Sequence, residues 1–543
     1  IASAYNGVQA LDGWYDASAS HPAGAAAPAL EQSASVFPLG AGVAAATAVT
    51  LTFTNGVANF NLRTSDVGQY VINLRDDTAT FATVTITGVS SELTVRPFGF
   101  AIIGIAAAAA NPGGTGPGDI LFNAAGDPFR AQFTAVLYGA GDPLDANGDP
   151  TSWSALENNA NAPSFAWDTQ LGAVLNTPPT ALGGTIGTLD RPSGTQIDAA
   201  DFAAGSALPV DLRYSEVGSM FMRASANNYL GVAGLAVRGQ SQVVGRFSPF
   251  EFTVTGLPTT YDAACTAFTY LGQPFDYSAG ARPQATITAV DALGAPTLNY
   301  FDFGVAGNDW WLLDDIAETY ADPGGNLIYS GAGPSHNSSA VPTANGQVVV
   351  TFLGTLTYTK TLPYADGLGV DPFNAAPTLS FTVADADGVT YAGGTAFTFN
   401  IPEAIGQDGV RHGRLRVQNA HGSEVLDLPA PLTLQSFDGT NFTTITDDSC
   451  SAVAVADFTY VGLPIANAVT PFAMGEGSLD WTCSVASPCP GGFVDVTGAL
   501  AGAGLDWLRY DWDGDTVEEE PSARVTFGIH AGSTRNIHIR EVF

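Results

Sequence analysis

Apolar side chains recur along this chain at every second position, in short runs that stop at Gly, Pro, Asn or Asp. A period of two marks strands with one buried face, because successive side chains on a strand point to opposite sides. In "AVTLTFTNGVANFNLRT", Leu51 and Phe53 alternate with threonines, Asn55-Gly56 intervenes, and Val57, Phe60 and Leu62 follow. Asn-Gly between alternating runs predicts a tight hairpin, since both central residues of a type I′ turn need positive φ. "GQYVINLRD", "ATFATVTITG", "GQVVVTFLGTLTYT", "PTLSFTVADADGV" and "TAFTFNI" read the same way. Helical spacing is almost absent. The Ala-rich pieces near 23–48 and 104–110 are broken by Gly and Pro and allow a helical turn at most.

Many short strands at regular spacing predict an all-β chain of tandem Ig-like β-sandwiches in an elongated multidomain arrangement. At 543 residues the chain is too long for one core. "TVRPFGF" (Thr94 to Phe100) and "GRFSPFEF" (Gly245 to Phe252) each place Arg, Pro and Phe between two strand patterns. Proline favours an extended exit from a strand and suits a hinge there. A second echo pairs "FTYLGQP" (Phe268 to Pro274) with "FTYVGLP" (Phe458 to Pro464). Four units are expected: an N-terminal sandwich over 1–96, a sandwich over 97–247, a third over 248–400, and a C-terminal sandwich with an acidic loop over 401–543. The second is expected to hold a long insertion around 140–210, where strand signals are few and small residues many.

The formal net charge is −34, with Lys360 the only lysine. A surface of that sign repels phosphate backbones and anionic lipid, which argues against nucleic-acid and membrane-surface partners and favours divalent cations. The longest apolar run, "FAIIGIAAAAA" (Phe100 to Ala110), is too short to cross a bilayer. Position 1 is Ile, with no leader pattern after it, which reads as a processed or partial chain. Four cysteines permit three full pairings. The favoured one joins Cys483 to Cys489 across "CSVASPC" and Cys265 to Cys450 across a long span; the other view is four buried thiols. Scarce lysine and an even cysteine count suit an exported protein in an oxidising space.

Candidate chemistry is thin. The chain has no GxSxG elbow, HExxH, P-loop or strand-borne GxGxxG. His21, His336, His412, His421, His530 and His538 are scattered without metal-ligand spacing. No enzyme is expected. In "DWDGDTVEEE", Asp511, Asp513 and Asp515 stand at alternate positions, from which carboxylates converge on one hard cation such as calcium. "GDPLDANGDP" repeats the spacing with Asp145, Asn147 and Asp149, and "ADADGV" offers a weaker third loop. The plain reading of all three is a β-turn built from Asp, Asn and Gly. Neither Thr516 nor Ser522 fits the sixth and twelfth positions of an EF-hand loop, so that motif is excluded. Trp310 and Trp311 in "NDWWLLDD" are candidate platforms for sugar rings, against the alternative that they are core and domain-contact residues.

The terminal block "WLRYDWDGDTVEEEPSARVTFGIHAGSTRNIHIREVF" resembles the C-terminal signature of the MshQ-like family, associated with biogenesis of the mannose-sensitive haemagglutinin type IV pilus. "DVGQYVINL", "VRPFGF", "YSEVG", "VGRFSPFEFTVT", "FTYLGQPF", "GRLRVQNAHGSEVLDLPAPL" and "TDDSC" follow the same family in the same order. The likeness begins near residue 50. It implies an exported bacterial cell-surface protein of tandem β domains, tied to a pilus or fibre, and brings no catalytic residues. "GIHAGSTRNIHIREVF" is more polar than the family's usual ending. The expected function is a structural or adhesive subunit of an extracellular appendage. Its expected partners are copies of itself, pilus or fibre subunits, and surface glycans. The alternative is a carbohydrate-binding surface module, with a secreted hydrolase behind it.

Overall fold

The computed structural model describes residues 4–78, 84–277, 281–313, 316–322, 327–330, 335–336, 346–364, 367–401, 409–462 and 464–528. His530, His538 and the polar ending lie outside the described residues. Among the described residues there are strands and short 3-10 turns but no α-helix, and none is long and apolar enough to cross a membrane as a helix. The chain is all-β, in tandem sandwich units.

In the first unit Gly7–Ala17 pairs with Thr47–Phe53, Gly68–Asp76 and Gly40–Ala41 in one sheet, while Ser35–Pro38, Ala29–Gln32 and Asn61–Arg63 form a second. Leu11, Leu30, Val49, Leu51 and Tyr70 fill the space between. Asn55 and Gly56 take φ of 54° and 78°, and Thr54 and Val57 close the turn. The two arms do not pair, however. Thr47–Phe53 bonds to Gly7–Gly13, and Asn61–Arg63 crosses to Ala29–Glu31 in the other sheet. The turn chemistry fixes a reversal, not a partner. Crossing lets Leu51 and Leu62 reach one core from opposite sides.

The second unit packs two five-stranded sheets, one around Phe129–Val136 and Ser206–Tyr214, the other around Gly218–Asn227 and Ala236–Ser248. Met220, Met222, Ala224 and Ala226 alternate inward along one strand. The stretch 140–210 proves to be part of this sandwich rather than an insertion. Thr169–Thr177 lies between Gln196–Ile197 and Gly218–Asn227, and Leu156, Ala162 and Phe165 are buried. "TQLGAVLNT" is half-buried along almost its whole length, so no polarity alternation announces it.

In the third unit Glu251–Leu257, Gln284–Val290, Gln347–Thr351 and Ser335–His336 face Glu318–Ala321, Thr378–Thr382 and Ala396–Asn400. The fourth packs the sheet of Gly413–Val417, Leu428–Phe437, Glu476–Trp481 and Ala468–Ala473 on that of Ala420–Gly422, Ser522–Phe527, Gly492–Gly498 and Phe458–Val461. Its core also takes in Cys265, Phe268 and Tyr270, from a segment that follows the third unit's first strand.

Candidate functional site: acidic turns and joints

Trp310 and Trp311 are 1% and 0% exposed inside the third unit's core. The sugar-platform expectation is therefore corrected: neither indole reaches solvent. Both lie just outside regular strands, where the rule that neighbours face opposite ways does not apply. The Nε1–H of Trp311 donates to the Leu313 carbonyl at 2.9 Å, which satisfies its polar atom in the core.

The acidic loops share one construction. Asp145 Oδ1 accepts the backbone N–H of Asn147 (2.8 Å) and Asp149 (2.9 Å). Asp291 in "DALGA" does so for Leu293 (2.9 Å) and Ala295 (2.8 Å), and Asp385 in "DADGV" for Asp387 (3.0 Å) and Val389 (2.9 Å). The turn D-A-x-G thus occurs three times in the second and third units, its first aspartate spent on backbone donors. Those N–H groups hold the Asp145 carboxyl below its ordinary range. Asp149 is shared between two arginines, its Oδ1 taking a bond from Arg96 at 2.6 Å and its Oδ2 one from Arg238 at 3.1 Å, while Asn147 contributes its backbone N–H to the turn.

These arginines tie the units together. Arg96 sits between the first unit's last strand, Leu93–Val95, and the second unit's first, Gly99–Ala106. Arg246 lies just before the third unit's opening strand and grips Asp387 with two bonds of 2.6 Å. The side chains of this pair are 6% and 13% exposed. Arg411, just before the fourth unit's first strand, holds Asp447 at 2.9 Å. The first two joints therefore pair an arginine near the boundary with an aspartate of the following unit, whereas Arg411 and Asp447 lie on the fourth unit's side of the third. Arg96 and Arg246 are the arginines of the "TVRPFGF" and "GRFSPFEF" echoes, so the expected hinges carry ion pairs. At the first joint Asp66 also accepts Ser164 N–H at 3.1 Å, and Val67 is buried in the second unit's core.

Glu216, from "YSEVG", closes the second joint from below. It is buried, and its oxygens accept N–H groups of Leu298 (2.7 Å), Asn299 (3.1 Å) and Val217 (3.1 Å). Burial pushes its carboxyl up from 4.5 to about 7, against the pull of those donors and with help from Asp291 nearby. The folded state therefore holds an extra proton between those values. The associated stability is fully present below the unfolded value near 4.5 and is lost as pH rises towards about 7. Glu216→Gln removes this titration. The difference in unfolding free energy between wild type and variant should fall by on the order of 1–3 kcal/mol from pH 5 to pH 8 in denaturant titrations. A pH-independent difference would refute the assignment.

The third joint is the most heavily tied. Cys265 pairs with Cys450 (Cα–Cα 4.9 Å), while Cys483 pairs with Cys489 (5.3 Å) inside the fourth unit. Thr269–Tyr270 runs parallel to Val410–Arg411. The Nζ of Lys360 stands 3.0 Å from Glu518 Oε1 and donates to the Arg509 carbonyl at 2.7 Å. Tyr364 and Tyr510 stack at 5.5 Å, and the Arg414 guanidinium lies over Phe442 (3.8 Å), Tyr510 (4.6 Å) and Trp512 (4.8 Å). His412 is buried beside them, its Nδ1 accepting Val370 N–H at 3.1 Å. Burial lowers its pKa to about 2, so the ring is neutral.

The C-terminal acidic loop lies beside this joint. Asp511 Oδ1 accepts Gly514 and Asp515 N–H at 2.7 and 3.1 Å, and Oδ2 accepts Thr516 N–H at 3.1 Å. Carboxylate oxygens of Asp511, Asp513 and Glu519 lie within 4.8 Å of one another. Asp515 is not in this group; its Oδ1 accepts Val517 N–H at 2.9 Å. Glu519 takes the place expected of Asp515 because Tyr510 and Glu519 pair across the loop, a fold-back that spacing alone does not encode. The neighbouring groove, about 370 Å³, is lined by Arg416, Trp512, Asp513 and Glu519 among others.

Comparison with known proteins bears on the two C-terminal units. Residues 216–403 match the third domain of DUF6701 and residues 411–542 the fourth, together more than half of the chain. The chain belongs to the DUF6701 family. The first matched span opens at Glu216, the residue that locks the second joint, and the domain order agrees with the order of the third and fourth cores. No curated protein matches the chain. Among solved structures, FdeC, an Escherichia coli adhesin, is 13% identical over 75% of this chain and 95% of its own, with a TM-score of 0.25. Domains 4–9 of the surface layer protein SbsC are 12% identical over 87% of this chain and 56% of theirs, with a TM-score of 0.18. Likenesses this loose bear on neither fold nor function.

Proposed function

We propose that this DUF6701 chain is a non-catalytic structural or adhesive subunit of an extracellular bacterial appendage, associated with a pilus or forming a fibre at the cell surface. The observation that carries the reading is the set of joints. A β-sandwich string can place most of each core within one unit, and here only a few residues, such as Val67, Cys265, Phe268 and Tyr270, cross into a neighbour's core. Joints closed by Arg96–Asp149, Arg246–Asp387, Lys360–Glu518 and an inter-unit disulfide are useful where force must pass from one unit to the next. The resemblance to MshQ-like proteins supports a pilus, with pilus subunits or further copies of the chain as partners. Burial of Trp310 and Trp311 removes the residues on which a glycan-binding alternative rested. Negative-stain microscopy of the native assembly tests the proposal: rods within or along fibres are expected, and isolated compact particles would overturn it.

Calcium belongs to the same reading, at Asp511, Asp513 and Glu519 alone. A hard cation there would relieve the crowding of three carboxylates. Calcium is expected to raise the melting temperature of the wild type and to leave Asp513→Asn unmoved. Equal melting curves in calcium and in chelator would reduce the loop to a hydrogen-bonded turn.

A further inference from the structure

We propose that Lys360 and Glu518 become joined by an amide bond between Nζ and Cδ, a covalent staple between the third and fourth units. Lys360 is the single lysine among 18 basic residues, and its side chain is 6% exposed, facing a Glu518 side chain that is 20% exposed. A buried ion pair alone would be better served by arginine, whose fork grips a carboxylate with two bonds. This chain uses that solution at Arg246 and Asp387. What an amine offers and a guanidinium does not is a nucleophilic lone pair once a proton is lost. Burial holds the Lys360 ammonium below its ordinary value and Arg509 pushes the same way, although Glu518 opposes both.

The geometry suits condensation. Nζ is 3.0 Å from Oε1, the oxygen that receives its proton, and the Tyr364 hydroxyl donates to the same oxygen at 3.3 Å, which assists its departure as the leaving hydroxyl. Nζ passes one proton to the carboxylate, giving amine and acid. The amine lone pair then attacks Cδ, the N–C bond forms and the C–O bond to the leaving hydroxyl breaks. A second Nζ proton goes to that hydroxyl, and one water departs. Ammonium and carboxylate become amide and water, with no oxidant, reductant or cofactor required. Fixing the two groups in contact supplies the effective concentration that free lysine and glutamate lack.

Mass spectrometry of the intact, reduced chain decides the matter. The wild type is expected one water lighter than the mass of its sequence, and proteolysis is expected to release a branched peptide joining the segments around 360 and 518. Lys360→Arg keeps the ion pair but should show the full mass and linear peptides only. Glu518→Gln should lose ammonia instead of water and finish at the mass of the cross-linked wild type. A folded wild-type chain at full mass, with linear peptides, would leave a buried ion pair only and overturn the proposal. That result would leave the appendage reading standing, because microscopy tests it separately.

Discussion

Replacing Arg246 with alanine is expected to cost about 3–5 kcal/mol, the range for removing one partner of a buried ion pair. The loss should localise to the joint between the second and third units. Asp387 would be left 13% exposed without its guanidinium partner, and the Asp119 carbonyl would lose the Nε–H that now reaches it at 2.6 Å. Arg246→Lys should fall between, since an ammonium keeps the charge but cannot form the two-bond fork. Arg411→Ala is the internal control. Its pair with Asp447 is 24% and 43% exposed, and pairs wetted to that degree contribute about 0–1 kcal/mol. Denaturant titration gives the magnitudes, and amide hydrogen exchange around residues 385–389 gives the place. Equal costs at Arg246 and Arg411 would show that burial does not govern the strength of these joints.

These arginines also mark how far the sequence could be read. Their recurrence in "TVRPFGF" and "GRFSPFEF" was visible. Their partners were not visible, because Asp149 and Asp387 lie 53 and 141 residues away in loops whose spacing suggested metal binding. An aspartate at alternate positions of a turn satisfies backbone N–H groups, a guanidinium or a cation equally well, and only the fold decides among them. Strand identity was legible wherever one face is buried, as at Met220, Met222, Ala224 and Ala226. It was hidden where both faces are half-buried, as along Thr169–Thr177. Partner choice was the least legible feature. Asn55-Gly56 announced its turn, yet nothing local sends Asn61–Arg63 to the opposite sheet; that outcome serves the core around Leu30 and Leu51.

Trp311→Ala is expected to cost about 3–5 kcal/mol, as for other buried aromatic truncations, and to unfold the third unit ahead of its neighbours. The indole is fully buried, touches Tyr300 at 5.2 Å between ring centroids, and has its one polar atom satisfied at Leu313. Truncation therefore opens a cavity and strands a carbonyl as well. Trp512→Ala gives the contrast. That indole is 38% exposed and meets only the Arg414 guanidinium at 4.8 Å and the Tyr510 ring edge-on at 5.1 Å among the ring contacts of the described residues, so a cost of about 1 kcal/mol is expected. Two well-separated thermal transitions in the Trp311 variant, against a near-native profile for the Trp512 variant, would place the tryptophan pair of "NDWWLLDD" in the core rather than in recognition. Comparable stability in both variants would require Trp311 to be accessible in solution, and a surface role for the pair would then have to be reopened.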